Sequence, residues 1–172
     1  MFDFFKKKEE KKSAPAAAPA PAPAPTQSGG IQFYPELIKD LIGDHRRLFQ
    51  LYDSIKENFT RRDLATVSGN LKEFGALVRN HLLTENMRLY IYLQQQMAGD
   101  EINSALVRSF RKEMDGIGKN VLDFLEKYKE IEKSSDADLS SFSGELDQIG
   151  SVVSTRMKRE ELTLYPLYVS KY

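Results

Sequence analysis

Two side chains in the middle of the sequence have the types and the spacing of metal ligands. His81 and Glu85 lie four residues apart in the segment Asn80-His-Leu-Leu-Thr-Glu85, and a helix places such a pair on one face. Imidazole and carboxylate groups that point the same way are common ligands of transition-metal ions. His45, the only other histidine, also stands among apolar residues at helical spacing. Both histidines are therefore predicted to point into the protein.

Two more charged residues, Arg156 and Glu160, interrupt an apolar stripe near the C-terminus. Charged side chains are seldom buried unless they are paired or bound to a metal. Helical bundles build non-haem iron and manganese sites from inward carboxylates and imidazoles on facing helices. Either a metal ion or mutual pairing must therefore satisfy the full set of inward polar residues, which is His45, His81, Glu85, Arg156 and Glu160.

Four long amphipathic helices would carry these residues. No proline occurs between Pro35 and Pro166, and apolar residues recur at steps of three and four, as in bundle helices. The pattern predicts helices over Pro35–Phe59, Asp63–Met97, Glu101–Lys133 and Asp138–Tyr168. Short connections make neighbouring helices antiparallel, so the predicted fold is all-α, an up-down-up-down four-helix bundle. At about 1.5 Å rise per residue, the inward polar residues reach similar heights and can share one layer.

The composition fits one soluble domain with a tail. Lys+Arg and Asp+Glu both number 25, so there is no electrostatic reason to expect direct binding to nucleic acid. The absence of cysteine excludes disulfides, thiolate ligands and thiol nucleophiles, and it fits a cytoplasmic location. No apolar run approaches the roughly 20 residues of a transmembrane helix.

The N-terminal part has a different character from the rest. Residues 1–12 form a short peptide rich in Phe and Lys, and residues 13–30 form an Ala/Pro-rich linker. Repeated prolines lack amide donors and favour extended chain over a packed core, so we expect this segment to be disordered. The bundle is expected to occupy residues 31–172.

The motifs of the bundle resemble those of the hemerythrin-like family, also called the HHE cation-binding domain. The resemblance covers roughly residues 35–168, and it rests on Asp44-His45, on His81-Leu-Leu-Thr-Glu85 and on Arg156-Met-Lys-Arg-Glu160-Glu161-Leu-Thr-Leu-Tyr-Pro166. Members of that family hold two irons with five histidines and two carboxylates, and they bind or sense oxygen or nitric oxide or handle iron. The resemblance implies metal ligands at four positions, which are His45, His81, Glu85 and Glu160.

Three ligand positions of the family carry other residues in this chain. The third-helix histidines would fall at Met114 and Gly118, and the fourth-helix histidine at Arg156. The resemblance therefore implies one non-haem iron or manganese ion, with Arg156 as a charge substitute for the missing second metal. A guanidinium cannot ligate a metal, but it can bind a carboxylate with two hydrogen bonds. The same charges also permit a metal-free network with no cofactor.

Two functional hypotheses follow. The first is a metal-binding domain that senses oxygen, nitric oxide or redox state, so that its partners are a metal ion and a diatomic gas. The second is a metal-free bundle that regulates a protein partner. A weaker resemblance of Arg156-Met-Lys-Arg-Glu160-Glu161 to the regulator-of-sigma-D family of anti-sigma proteins implies a transcription regulator for that second hypothesis. No phosphate loop or nucleophile–base pair is visible, and we expect no enzymatic activity.

Two further interpretations concern polar groups beside the predicted site. Glu113, beside Met114, could turn inward as a substitute carboxylate, but the preferred interpretation is a surface residue next to the apolar stripe of the third helix. Five tyrosines are possible hydrogen-bond partners of the site, which are Tyr52, Tyr90, Tyr92, Tyr128 and Tyr165. Tyrosines at helical spacing usually pack in the core with the hydroxyl at its edge, and this is the preferred interpretation for all five.

Overall fold

The computed structural model of the chain describes residues 30–170. The predicted peptide at 1–12 and nearly all of the linker at 13–30 lie outside these residues. Within them the structure is helical and has no strand, which confirms the all-α prediction. No helix in this part of the chain is both long enough and apolar enough to cross a bilayer. The α-helices are α1 Leu37–Thr60, α2 Leu64–Thr84, α3 Ile91–Gln96, α4 Glu101–Lys127 and α5 Asp136–Arg159.

Two of the four predicted helices contain a π-helical turn. One such turn, Glu85–Tyr90, joins α2 to α3 with helical backbone on both sides. The other, Glu160–Leu164, follows α5 directly and leads into a 3₁₀ turn at Tyr165–Leu167. A π-helical turn has one residue more than an α-helical turn, so both helices change phase where the turn begins.

The third helix is shorter than predicted. It ends at Lys127, and a separate 3₁₀ turn spans Ile131–Lys133. The prediction of one helix to Lys133 is therefore wrong. After this break Ile131 is fully buried and packs in the same apolar cluster as Leu71.

Side-chain caps start three of the helices. Asp63 and Asp100 each accept a hydrogen bond from the backbone N–H three residues later, and Ser135 forms a reciprocal capping box with Asp138. Each cap satisfies a donor that the first turn of a helix leaves free. Gly99, in the turn before α4, has a φ of 107°, a conformation that favours glycine. These local signals explain why the helices begin where they do.

The apolar core consists of two clusters. One cluster includes the buried residues Leu48, Val78, Ile117 and Met157. The other includes the buried residues Leu41, Leu89, Phe110 and Leu164. Along the helices, five buried polar residues lie at or next to the points where the chain passes from one cluster to the other. We call them the polar layer, which is His45, His81, Glu85, Arg156 and Glu160.

Candidate metal centre

The polar layer contains all five site residues that the sequence predicts. No side chain in it is more than 3% exposed. His45 lies on α1, His81 on α2 and Arg156 on α5. Glu85 and Glu160 are each the first residue of a π-helical turn. Such turns occur frequently at functional sites, and here each one begins at a carboxylate.

The donor atoms of the layer converge. Nε2 of His45 lies 3.4 Å from Oε2 of Glu160, and Nε2 of His81 lies 3.9 Å from Oε1 of Glu85. One donor atom from each of His45, His81 and Glu160 lies within 4.8 Å of the other two. Ligands on opposite sides of one ion, each about 2.1 Å from it, are about 4.2 Å apart. Small side-chain movements therefore suffice for these donors to share one ion.

Two carboxylates orient the imidazole rings from outside the layer. Nδ1 of His45 donates to Oε1 of Glu161 at 2.7 Å, and Nδ1 of His81 donates to Oδ2 of Asp44 at 3.3 Å. Because an ionised carboxylate only accepts hydrogen bonds, each Nδ1 carries a proton and each Nε2 faces the layer. Metal-ligating histidines are commonly held in this way. Sequence reasoning missed this role, although Asp44 and Glu161 stand directly beside His45 and Glu160 in the chain.

Glu85 is the least satisfied member of the layer. Its side chain is fully buried, and among the described residues its Oε2 atom has no hydrogen-bond partner. Burial raises the pKa of Glu85 well above its usual range, and the nearby charge of Glu160 raises it further. A buried carboxylate oxygen without a donor is costly, and a cation in the layer would satisfy it.

Glu160 differs from Glu85 in its electrostatics. Burial alone would raise its pKa, but the hydrogen bond with His45 and the charge of Arg156 outweigh burial and lower the pKa. For His45, burial alone would lower the pKa, but hydrogen bonds with Glu160 and Glu161 outweigh it and raise the pKa. Glu160 therefore carries the negative charge of the layer, and His45 and Arg156 face it.

Arg156 has a hydrogen-bond partner at every nitrogen. Its Nε donates to Oε1 of Glu160 at 2.5 Å, its Nη2 to the hydroxyl of Tyr90 at 2.7 Å, and its Nη1 to Oε2 of Glu113 at 3.1 Å. The guanidinium also lies 4.5 Å from the centre of the Phe110 ring. Glu113 is 37% exposed, so the interpretation as a surface residue missed its contact with the layer. Arg156 uses one oxygen of Glu160 and leaves the other oriented towards His45.

Two tyrosine hydroxyls lie inside the layer, contrary to the interpretation that placed them at the core edge. Tyr90 accepts the hydrogen bond from Arg156, and Tyr165 contacts both His45 and Glu85. Each tyrosine comes five residues after a carboxylate of the layer, in Glu85-Asn-Met-Arg-Leu-Tyr90 and Glu160-Glu-Leu-Thr-Leu-Tyr165. In an α-helix, two side chains at that spacing point about 140° away from each other. In a π-helical turn, residues i and i+5 are one turn apart and lie on the same face. The repeated Glu-x-x-x-Leu-Tyr pattern was the available signal.

The residues present fit one ion rather than two. His45, His81 and Glu160 form one convergent group of donor atoms. Glu85 lies outside that group but beside it, 3.9 Å from Nε2 of His81, and has an oxygen without a hydrogen-bond partner among the described residues. The positions at which the resemblance implied third-helix histidines hold Met114 and Gly118, neither of which supplies nitrogen or oxygen from its side chain. The position at which it implied a fourth-helix histidine holds the positive guanidinium of Arg156, which repels a second cation.

Comparison with known proteins identifies the family of the domain. A family model described as the hemerythrin HHE cation binding domain matches residues 36–168, a range that includes the whole polar layer. Comparison with curated proteins and with solved structures gives no match. Because the family model spans most of the 172 residues, the chain belongs to the hemerythrin HHE cation-binding domain family.

Proposed function

We propose that this domain binds one non-haem iron or manganese ion through His45, His81, Glu85 and Glu160. The observation that carries the proposal is the buried Oε2 atom of Glu85, which has no hydrogen-bond partner among residues 30–170. Two imidazoles and two carboxylates form a donor set that suits divalent iron or manganese. Protonation of Glu85 would remove its charge, but the added hydroxyl would still need an acceptor. A cation satisfies this oxygen without that requirement.

The charge of the layer supports a single cation. Ligation requires both carboxylates to be ionised, so Glu85 gives up its proton when the ion binds. Glu85 and Glu160 then contribute minus two and Arg156 contributes plus one, which gives a net charge of minus one for the side chains that hold the ion. A divalent ion changes this sum to plus one. A second divalent ion would raise it to plus three inside the protein, where charge is poorly screened.

A small cavity beside the layer supports a diatomic gas as the signal. It has a volume of about 20 Å³ and is lined mainly by apolar side chains, together with His81, Arg156 and Glu160 of the layer. That volume holds about one water-sized molecule. The cavity therefore suits oxygen or nitric oxide better than a larger substrate, and we propose a gas-sensing or redox-sensing role.

Metal content per chain tests the proposed site. The protein is expressed with iron and manganese available, purified without chelator, and measured by elemental mass spectrometry. About one ion per chain is expected, and Glu85→Gln and His81→Ala are expected to lose it while circular dichroism remains helical. Glu113→Gln is the matched control, because Glu113 contacts arginines rather than the donor set, and it should keep the ion. Full occupancy in both ligand variants would reject the assignment.

Restoration of the family's missing ligands tests the number of ions. Met114→His, Gly118→His and Arg156→His together should raise iron capacity towards two per chain. A Cβ atom at Gly118 would lie 3.0 Å from Cδ1 of Leu82, so Leu82→Ala is included to make room. An unchanged capacity in a folded variant would contradict the family register.

Nitric oxide binding to the ferrous protein, followed by electron paramagnetic resonance, tests the gas proposal. Gly118→Val should push Leu82, which also lines the cavity, into that space. The expected result is weaker nitric oxide binding with unchanged iron content. Equal affinity in the two proteins would mean that the cavity does not admit the gas.

The second hypothesis, a metal-free module that regulates a protein partner, has its own support. Arg156 pairs with Glu160 and Glu113, and a second proton on His45 would bring the layer to neutrality. This arrangement accounts for every charge but leaves Oε2 of Glu85 without a donor. A stable, fully helical protein that takes up no metal in the measurement above would favour this function, for which an anti-sigma role is the candidate.

A further inference from the structure

The hydroxyl of Tyr165 lies among the proposed ligand atoms. Its side chain is 3% exposed. The hydroxyl oxygen is 3.2 Å from Nε2 of His45 and donates to Oε1 of Glu85 at 3.1 Å. The Tyr165 hydroxyl therefore bridges two proposed ligands, His45 on α1 and Glu85 in the first π-helical turn.

The separations around this oxygen are those of neighbouring ligands on one ion. Two ligands at right angles, each about 2.1 Å from an ion, are about 3.0 Å apart. The distances from Tyr165 to His45 and Glu85 lie within 0.2 Å of that value. Both partners of this buried hydroxyl belong to the proposed ligands. We infer that Tyr165 is a fifth ligand of the ion and binds through its phenolate oxygen, an assignment that rests on the proposed function.

The chemistry of a phenolate suits iron in this layer. Tyrosine is an established iron ligand, for example to the haem of catalase. On binding, the hydroxyl proton is released to solvent and the oxygen lone pair forms the bond to the ion. The ionised side chains of Tyr165, Glu85 and Glu160 then contribute a charge of minus three, and Arg156 contributes plus one. A ferrous ion therefore gives the layer a net charge of zero, and a ferric ion gives it a net charge of plus one. A fifth, anionic ligand also offsets part of the loss of the family's three histidines.

Tyr90 is a matched comparison for this role. It follows Glu85 at the same spacing at which Tyr165 follows Glu160, and it is also buried. Its hydroxyl, however, accepts a hydrogen bond from Nη2 of Arg156 at 2.7 Å. An oxygen that faces a guanidinium is directed away from a cation, so the structure assigns a ligand role to Tyr165 alone.

Visible absorption and resonance Raman spectroscopy of the ferric protein test the assignment. The purified full chain is loaded with iron, oxidised with ferricyanide and desalted, and its iron content is measured. A ferric phenolate gives a charge-transfer band in the visible together with enhanced ring vibrations. We expect Tyr165→Phe to lose the band completely while it retains about one iron per chain, and Tyr90→Phe to keep both the band and the iron.

The outcomes separate this inference from the proposed function. Wild-type protein that holds one iron without the band overturns the role of Tyr165 and leaves the metal site intact, as does a band that persists in Tyr165→Phe. Wild-type protein that takes up no iron overturns the proposed function, and the ligand role with it. If Tyr165→Phe does not fold, wild-type protein with ring-deuterated tyrosine decides the question, because shifted Raman lines under the visible band show that a tyrosine is bound.

Discussion

Replacement of Arg156 by methionine removes the largest fully buried side chain of the described residues and leaves its partners in place. Glu160 loses the donor at 2.5 Å and Tyr90 the donor at 2.7 Å. Methionine fills similar space with apolar atoms, so the main change is electrostatic. The variant therefore tests whether the guanidinium neutralises the layer in the absence of metal.

The expected loss of stability is large. Removal of one partner from a buried ion pair costs about 3–5 kcal/mol, while domains of ordinary size unfold with about 5–15 kcal/mol. With a urea slope of about 1–3 kcal/mol per molar, the midpoint of the metal-free protein should fall by roughly 2 M. In the metal-loaded protein the loss should be smaller, because the ion itself neutralises Glu160.

Arg159→Met is the control for this experiment. Arg159 also pairs with Glu113, at 2.5 Å, and its guanidinium lies 5.0 Å from the centre of the Phe110 ring, but its side chain is 46% exposed. An exposed pair contributes about 1 kcal/mol or less. Both variants are unfolded in urea with and without chelator and followed by circular dichroism. Equal losses for Arg156→Met and Arg159→Met would refute the reasoning, because they would show that burial of Arg156 has no energetic consequence.

Two further predictions concern pH and packing. Because the folded-state pKa values of Glu85 and His45 are both raised, the folded protein holds protons that the unfolded chain releases, so the stability of the metal-free protein should fall as pH rises above about 5. Urea midpoints in chelator measure this, His45→Gln should flatten part of the slope, and a rising profile would contradict it. At Gly150 a Cβ atom would lie 2.4 Å from Cζ of Tyr52, so Gly150→Ala should be neutral or destabilising alone but stabilise a Tyr52→Ala background by about 1 kcal/mol. Calorimetric melting of the four proteins measures the coupling, and additive effects would mean that Tyr52 moves aside freely.

The bundle and the polar layer were predictable because burial has a period along a helix. Once Leu41 and Leu48 mark the inner face of α1, His45 between them must be inward as well. The same reasoning located Arg156 and Glu160. Five charged or titratable side chains on inner faces at similar heights share one layer of a four-helix bundle, so their proximity followed from helix length and direction.

The roles of the tyrosines were not predictable from the same pattern. With a regular α-helical period, Tyr90 would point in a different direction from Glu85, five residues earlier. The same holds for Tyr165 and Glu160. The π-helical turns change that phase, and single-residue changes of phase leave no trace in hydrophobic spacing. Glu113 was missed for another reason, because a partly exposed carboxylate on a flexible side chain can reach a buried guanidinium only in a particular three-dimensional arrangement.

The two π-helical turns also decide where these helices can change length. Each turn contains one residue beyond what an α-helix would need, in the stretches Glu85–Tyr90 and Glu160–Leu164. Deletion of one residue between the carboxylate and the tyrosine would convert the turn into a regular α-helix, in which the two residues stand four apart and still share one face. The same deletion elsewhere in these helices has no extra residue to remove, and it would rotate everything beyond it by about 100°. Single-residue differences in length are therefore expected to be tolerated at the two turns and to disrupt the layer elsewhere in the two helices.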